Sequence, residues 1–296
     1  MYYLPHIKFI KNKICFLFFL CLVNIISNCS SSDKIEETSI EINGTFNGDV
    51  ELLSQQEVNN FAAKKYAKIT GSLSIGYGSI TKKNTDINNL KGISNLTDIG
   101  GTLDIIRNPL LLNLNGLQNL NNVGKDIFID DNWRLESITA LSKINIVKHS
   151  LYIGNNRSLK SLEGLEKITS VGFSLNIFNN DKITTLSPLK NIYSVGGSLE
   201  IDYNDKLSSL EGLNNLNSIH RNLIIDDNTV LTTLNSLENI REIGGYINIE
   251  NNPILNDFCG LKPFFINLTR NHISFDVSNN LYNPSKQNML TETCKN

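Results

Sequence analysis

The sequence predicts a parallel β-solenoid, a stack of coils in which each coil packs only against its neighbours. Three observations predict it: a gapless repeat of 24 residues, an Ile at the fifth position of every repeat and an Asn at the eighth. The seven consecutive units start at Gly101, Lys125, His149, Phe173, Gly197, Arg221 and Gly245. Such a repeat provides an extended surface rather than one singular pocket.

Each unit is expected to open with a short strand that has one face inward. Position 3 is Leu or Ile and position 5 is Ile in all seven units. β-Branched and aliphatic residues two apart are typical of such a strand. Aliphatic residues at positions 11, 14, 17, 20 and 23 then predict a tight, partly 3₁₀-helical return arc. With further strands near residues 73 and 275 we expect nine coils, and the extra residues at 82–88 form a loop that leaves the stack.

Position 8 is occupied by an asparagine in every unit. We weighed a row of ligand-binding amides against a structural ladder in which each amide satisfies backbone groups at the turn out of the strand. The regular spacing, just after the inward Ile, favours the ladder. Its members are Asn108, Asn132, Asn156, Asn180, Asn204, Asn228 and Asn252, with Asn280 after the final strand.

Glycines close most units, and we expect them to turn the chain with positive φ. They are Gly100, Gly124, Gly172, Gly196 and Gly244.

The terminal coils need caps. Ser54 and Glu57 form a capping-box pattern, and the apolar residues that follow at helical spacing predict a short amphipathic helix over residues 54–66. We assign residues 48–70 to the N-terminal cap and 257–296 to the C-terminal cap of a solenoid that spans residues 48–296.

The first residues have the pattern of an export signal. Three lysines precede a mostly apolar run at residues 14–26 that is short for a membrane span. Residues 26–29 resemble the lipobox of bacterial lipoproteins, which implies a signal peptide at 1–28, acylation of Cys29 and a flexible tether at 29–47. The protein would then be exported and lipid-anchored to the bacterial outer membrane, where we expect it to be exposed at the cell surface. The alternative is an ordinary secretory signal with an incidental cysteine.

Two cysteines remain beyond the signal region, Cys259 and Cys294. An even pair that flanks the last coil of an exported protein favours a disulfide, and two unpaired thiols are the alternative. Removing residues 1–28, which carry three Lys and no acidic residue, changes the formal net charge from −2 to −5. A mildly acidic chain without basic clusters argues against nucleic acid and anionic lipid as partners.

The units resemble the receptor L-domain family. The resemblance rests on residues 95–100, on the Gly-x-Leu-x-Ile that starts at Gly101, on Asn108, and on residues 257–261 and 281–284. It implies a right-handed, leucine-rich-repeat-like β-helix, closest to surface lipoproteins of flavobacteria. Members serve binding or adhesion, and the family has no catalytic residues to transfer.

A ligand is expected on the outward positions 2, 4, 6 and 7 of the strands. Exposed aromatic residues among carboxylates suit a sugar or a basic protein patch, whereas an ordinary solvated sheet face is the alternative. The candidate face comprises Phe128, Tyr152, Phe178, Glu200, Asp202, Tyr203 and Asp226. We expect no metal site, because the pairs 130–131 and 226–227 lie four coils apart and each pair alone offers few Ca²⁺ ligands.

These observations lead to a surface-exposed, lipid-anchored binding or adhesion protein that recognises an extracellular protein or glycan without catalysis or a cofactor. One alternative is a polysaccharide-active parallel β-helix enzyme, which would need a clustered acid/base set. The four histidines do not provide one, because they are scattered at unit boundaries and in the signal: His6, His149, His220 and His272. A purely structural envelope protein is the other alternative.

Overall fold

A ten-stranded parallel sheet forms one side of the chain in the computed structural model, which describes residues 44–76, 84–268, 273–291 and 293–296. The signal region, Cys29 and His272 lie outside the described residues, as do residues 82 and 83 at the start of the inserted loop. This sheet confirms the parallel β-solenoid. Its strands are Val50–Leu52, Leu73–Ile75, Leu103–Ile106, Ile127–Asp130, Leu151–Gly154, Leu175–Phe178, Leu199–Asp202, Leu223–Asp226, Ile247–Glu250 and Phe275–Ser278.

The strands of the repeat pair in register with their equivalents in the next unit. Leu151 lies opposite Leu175 and Ile153 opposite Ile177, so equivalent aliphatic residues of successive units stack in columns. From Leu103 to Ile249, the side chains at positions 3 and 5 are at most 1% exposed, which makes these columns the dry core. The strand Val50–Leu52 was expected only as part of the cap. It instead continues the columns as a tenth strand, because Val50 pairs with Leu73.

Two narrower parallel sheets form the opposite corner of the coils. One has four strands and the other five, and most of these strands are two residues long. They centre on the buried aliphatic residue of position 23. The bounds are Gly44–Phe46, Tyr66–Ile69, Asp98–Ile99 and Asn122–Val123, then Ile146–Val147, Ser170–Val171, Ser194–Val195, Ser218–Ile219 and Glu242–Ile243.

The return arcs follow two designs, which alternate as far as the coil that contains Asn235–Leu237. Some coils carry a 3₁₀-helix, at Lys91–Ile93, Thr139–Leu141, Ser187–Leu189, Asn235–Leu237 and Cys259–Leu261. The coils between the first four of these turn instead through a glycine with positive φ, namely Gly116, Gly164 and Gly212. A side chain at Gly116 would place its Cβ 1.8 Å from the carbonyl oxygen of Leu90 in the preceding coil. The glycine arcs therefore sit directly on the start of a 3₁₀ arc.

The position-8 asparagines form a continuous ladder inside the solenoid. The amide of Asn132 donates to the carbonyl of Ile105 in the preceding coil (2.8 Å) and to that of Asp130 in its own strand (3.0 Å). Its backbone N–H donates to Oδ1 of Asn156 in the next coil (3.2 Å). Most of these side chains thus satisfy backbone groups of two coils, as the structural interpretation expects.

Both ends of the ladder are closed by other polar groups. At the first rung the hydroxyl of Thr85 donates to Oδ1 of Asn108 (2.9 Å). At the last, the backbone N–H of Asn280 donates to Oδ1 of Asn283 (3.0 Å). The rungs between are fully buried, and a buried amide is stable only when its hydrogen bonds are made.

The residue before each rung adopts the left-handed conformation. At position 7, φ lies between 51° and 58° in all eight turns from Arg107 to Asn279. Asn and Asp tolerate this conformation, whereas other L-residues pay roughly 1 kcal/mol for it. The turn carries the chain out of the strand and brings position 8 inward.

The unit-closing glycines have a different role from the expected one. None of the five has positive φ, so the prediction was wrong for this property. Close packing between coils is the reason for glycine here. A Cβ on Gly124 would lie 1.9 Å from the carbonyl oxygen of Gly100, and one on Gly172 would lie 2.0 Å from that of Lys148.

The N-terminal cap contains the predicted helix, but the helix is shorter. Helix α1 spans Gln55–Ala62, and its N-terminal amide at Glu57 donates to the hydroxyl of Ser54 (3.2 Å). It stops before residue 66 because Lys65 turns left-handed (φ 51°) and Tyr66 enters a strand. The strand Gly44–Phe46 lies within the segment 29–47 assigned to a tether, and Phe46 packs against Tyr66.

The C-terminal cap is joined to the last coil by a disulfide between Cys259 and Cys294. Two short helices, α2 (Lys262–Ile266) and α3 (Lys286–Leu290), complete this end. Phe264, Phe265 and Met289 are buried there. The cap covers aliphatic surface that the last coil would otherwise expose to water.

Replacing Asn156 by Ala is expected to lower the free energy of unfolding by about 3 kcal/mol, because it leaves the carbonyl of Ile129 and the buried backbone N–H of Asn132 without these partners. Urea unfolding at neutral pH measures the change. Asn145→Ala is the matched control, because Asn145 is exposed on the arc. Equal stability of the two variants would contradict the ladder's energetic role.

The double variant Cys259→Ala/Cys294→Ala is expected to lose about 3 kcal/mol, because the disulfide closes a loop with a sequence separation of 35. Thermal melts with and without a reductant test this. The reductant should lower the melting temperature of the parent protein and leave that of the double variant unchanged. A parent protein that melts identically in both buffers would argue against a stabilising bond.

Candidate ligand-binding face

Three of the four predicted aromatic residues form one cluster on the ten-stranded sheet. Phe128 and Tyr152 are register partners with ring centroids 5.6 Å apart. Tyr152 meets Phe178 edge to face at 4.9 Å. All three rings are partly buried. We call Phe128, Tyr152 and Phe178 the aromatic cluster.

A glycine that is not among the predicted site residues makes the cluster possible. Gly154 is the register partner of Phe178. A Cβ on Gly154 would lie 2.0 Å from the ring of Phe178, so this ring occupies the space above the glycine. The available signal was that this unit alone has Gly at position 6 beside a Phe in the next unit.

Tyr203 lies at the end of the strand Leu199–Asp202, one coil beyond Phe178. It is 48% exposed and has φ 54°. Asn holds this conformation in four other coils, so a bulky Tyr here carries local backbone strain. Its position places an aromatic ring at the edge of the face.

The carboxylates of the face are partnered mainly by amides from neighbouring coils. Asn155 donates to Asp130 (2.8 Å) and Asn251 donates to Asp226 (2.9 Å). The amide of Asn176 donates to Glu200. These three asparagines are not among the residues of the candidate face predicted from the sequence.

Burial raises the pKa of these partnered carboxyl groups, and the hydrogen bonds from the amides oppose the shift only partly. The pKa is raised for Asp130, Glu200 and Asp226, with desolvation as the largest cause.

Asp202 is the least compensated of these carboxylates. Burial, followed by the charges of Glu200 and Asp226, raises its pKa to about 8. Its Oδ1 is buried and has no hydrogen-bond partner among the described residues. The cause is one residue: position 7 of the next coil is Asp227, whereas the equivalent Asn155 and Asn251 donate to the coil before them.

The hydroxyl of Tyr152 is held in its protonated form. Burial, and then the charges of Asp130 and Glu200, raise its pKa far above the usual value. Within the described part of the chain, no hydrogen bond satisfies this hydroxyl. It is therefore a donor that a ligand on the face can use.

The remaining sequence candidates lie apart from this face or are engaged elsewhere. Asp131 accepts hydrogen bonds from Arg107 and Trp133. His149 is exposed and lies 3.5 Å from Asp126, and the ring of His220 contacts a backbone carbonyl. Across the described ranges, no group of three or more His, Cys, Asp or Glu side chains is arranged to hold a metal ion.

Comparison with known proteins adds no assignment. No protein-family model matches the chain, and a search of curated proteins finds no match. In the part of the chain that the structure describes, no helix has the length and apolar character needed to cross a membrane.

Asp227→Asn is expected to stabilise the protein, because it supplies the missing amide donor to Asp202 and removes a like charge. The gain in free energy of unfolding at neutral pH should be about 1 kcal/mol, measured by urea unfolding. Glu211→Gln, an exposed charge removal on the arc, is the control. A stability equal to that of the control would contradict the proposed pairing.

Asp202 also predicts a pH dependence of stability. Its folded pKa of about 8 exceeds the ordinary 3.8, so the folded state binds the proton more tightly than the unfolded state. The contribution of Asp202 to the free energy of unfolding is therefore greatest below pH 3.8 and falls as the pH rises from 3.8 towards about 8. Above about pH 8 it no longer changes with pH. Asp202→Asn should flatten the stability curve in this window, and an unchanged slope would refute the shift.

Proposed function

We propose that the chain is a non-enzymatic binding or adhesion protein that recognises an extracellular protein or glycan through the sheet face. The aromatic cluster is the observation that carries the proposal. Three aromatic rings on adjacent strands line the outward side of the sheet, where solvation alone requires only polar residues. Contiguous aromatic surface of this kind is typical of recognition sites.

The polar groups around the cluster support the same function. The protonated hydroxyl of Tyr152 can donate to a ligand, and the carboxylates of Asp130 and Glu200 can accept hydrogen bonds beside it. The backbone strain at Tyr203 destabilises the fold, and the side chain, which is half exposed, does not add to the packed core. Such strain is common where a side chain serves recognition.

The proposed location is the outer surface of a bacterial cell, with a lipid anchor on Cys29. The resemblance to receptor L-domain lipoproteins and the N-terminal signal pattern support this location. The disulfide between Cys259 and Cys294 is also the kind of bond that persists in oxidising, extracytoplasmic compartments.

One observation favours the enzymatic alternative. A carboxyl group with its pKa raised to about 8 beside other carboxylates, as at Asp202, resembles the general acid of glycosidases. Its unpartnered oxygen is buried, however, and not presented to a substrate. Incubation with a polysaccharide panel, with Asp202→Asn as control, distinguishes the two functions: new reducing ends that depend on Asp202 would establish catalysis.

Tyr152→Ala and Phe178→Ala are each expected to weaken ligand binding by about 2 kcal/mol, because aromatic side chains at the centre of an interface contribute most of its energy. Glycan and extracellular-protein arrays would first identify bound components, and titration would then compare the variants. Tyr193→Ala is the matched control, since Tyr193 is 55% exposed on the arc. Binding that ignores both cluster variants, or that Tyr193→Ala weakens equally, would place the site elsewhere.

A further inference from the structure

Charge is strongly segregated onto the sheet face. Positions 2, 4, 6 and 7 of the seven units hold nine Asp or Glu residues and one basic residue, Arg107. The face therefore carries eight more acids than bases, whereas the whole chain has a net charge of −2, so the remaining residues are net positive. A field of one sign over a single face attracts partners of the opposite charge.

Few of these carboxylates are neutralised within the protein. Arg107 pairs with Asp131 at 3.3 Å. Among the described residues, no ion pair with Lys, Arg or His reaches Asp130, Glu200, Asp202, Asp226, Asp227 or Glu250. Amides satisfy some of their oxygens, but an amide does not remove the repulsion between neighbouring negative charges.

The strand register places this charge beside the aromatic cluster. At position 6, Phe178 pairs with Asp202, Asp202 with Asp226, and Asp226 with Glu250. Neighbouring strands are about 4.8 Å apart, so a ring and three carboxylates follow one another in a short row. A carboxylate beside an aromatic ring suits guanidinium and ammonium groups, which gain both an ion pair and a cation–π contact.

We infer that the ligand of this face is a basic segment of a polypeptide, lying across the strands with Lys or Arg side chains on the position-6 row and against the aromatic cluster. The inference rests on the proposed binding function and names its ligand class. A cationic ligand favours the charged forms of Glu200, Asp202 and Asp226, which burial and neighbouring negative charges disfavour in the free protein. A neutral glycan stacks on the rings but leaves the penalty for these charges in place.

The test uses the purified protein and a short fluorescent peptide of alternating lysine and serine, followed by anisotropy at low and high salt. We expect saturable binding that salt weakens, and no binding of the matching glutamate–serine peptide. Glu200→Gln/Asp202→Asn/Asp226→Asn should reduce the affinity by roughly tenfold or more. The control Glu163→Gln/Glu211→Gln/Glu238→Gln changes net charge equally at exposed arc positions and should have little effect.

Three results would overturn the inference. An equal loss in both triple variants would mean attraction by net charge rather than recognition on the face. No lysine-peptide binding, together with neutral-glycan binding that Tyr152→Ala abolishes, would refute the ligand class but retain the proposed function. Failure of the lysine peptide and of every array component would refute both. Urea unfolding of each variant establishes that a loss of binding is not a loss of fold.

Discussion

The turn out of each strand is the constraint on which the rest of the structure depends. A left-handed residue at position 7 ends the strand, and the asparagine at position 8 then lies in the core, where it bonds to the carbonyls of two coils. Because each ladder asparagine hydrogen-bonds to the adjacent coil, it fixes the register of its own strand against the next one, and this holds along the whole sheet. The disulfide and the helices act only at the ends of this arrangement.

Perfect register has a cost on the outward side of the sheet. Identical positions stack directly on one another, so carboxylates at one position of successive units become neighbours with little distance to separate their charges. The chain offsets this with amides at Asn155, Asn176 and Asn251. At Asp202 the compensation is missing, and repulsion and desolvation accumulate there. The face thus combines a rigid support with unrelieved charge, which is a favourable condition for recognition.

Much of the fold could be predicted from the sequence because regular spacing reports directly on core packing. The aliphatic residues at positions 3 and 5 predict the strands, and the asparagines at position 8 predict the ladder. The left-handed turn at position 7 was missed although six of its eight residues are Asn or Asp, which tolerate positive φ. Arg107 and Tyr203 obscure this pattern in the sequence. The site was less accessible: the cluster depends on space above Gly154, and the state of Asp202 depends on the absence of an amide at Asp227. Both are relations between coils rather than properties of single residues.

The close fit between successive return arcs depends on a glycine rather than on the design of the arc. Gly116, Gly164 and Gly212 each fit closely over the first residues of a 3₁₀ arc, and Gly260 does the same although it lies within the 3₁₀-helix Cys259–Leu261. Two 3₁₀ arcs can therefore stack directly on one another when the upper one carries this glycine. A solenoid of this kind can lengthen by a single coil wherever the added arc places a glycine over the arc before it, and each such coil would add one strand to the proposed recognition face.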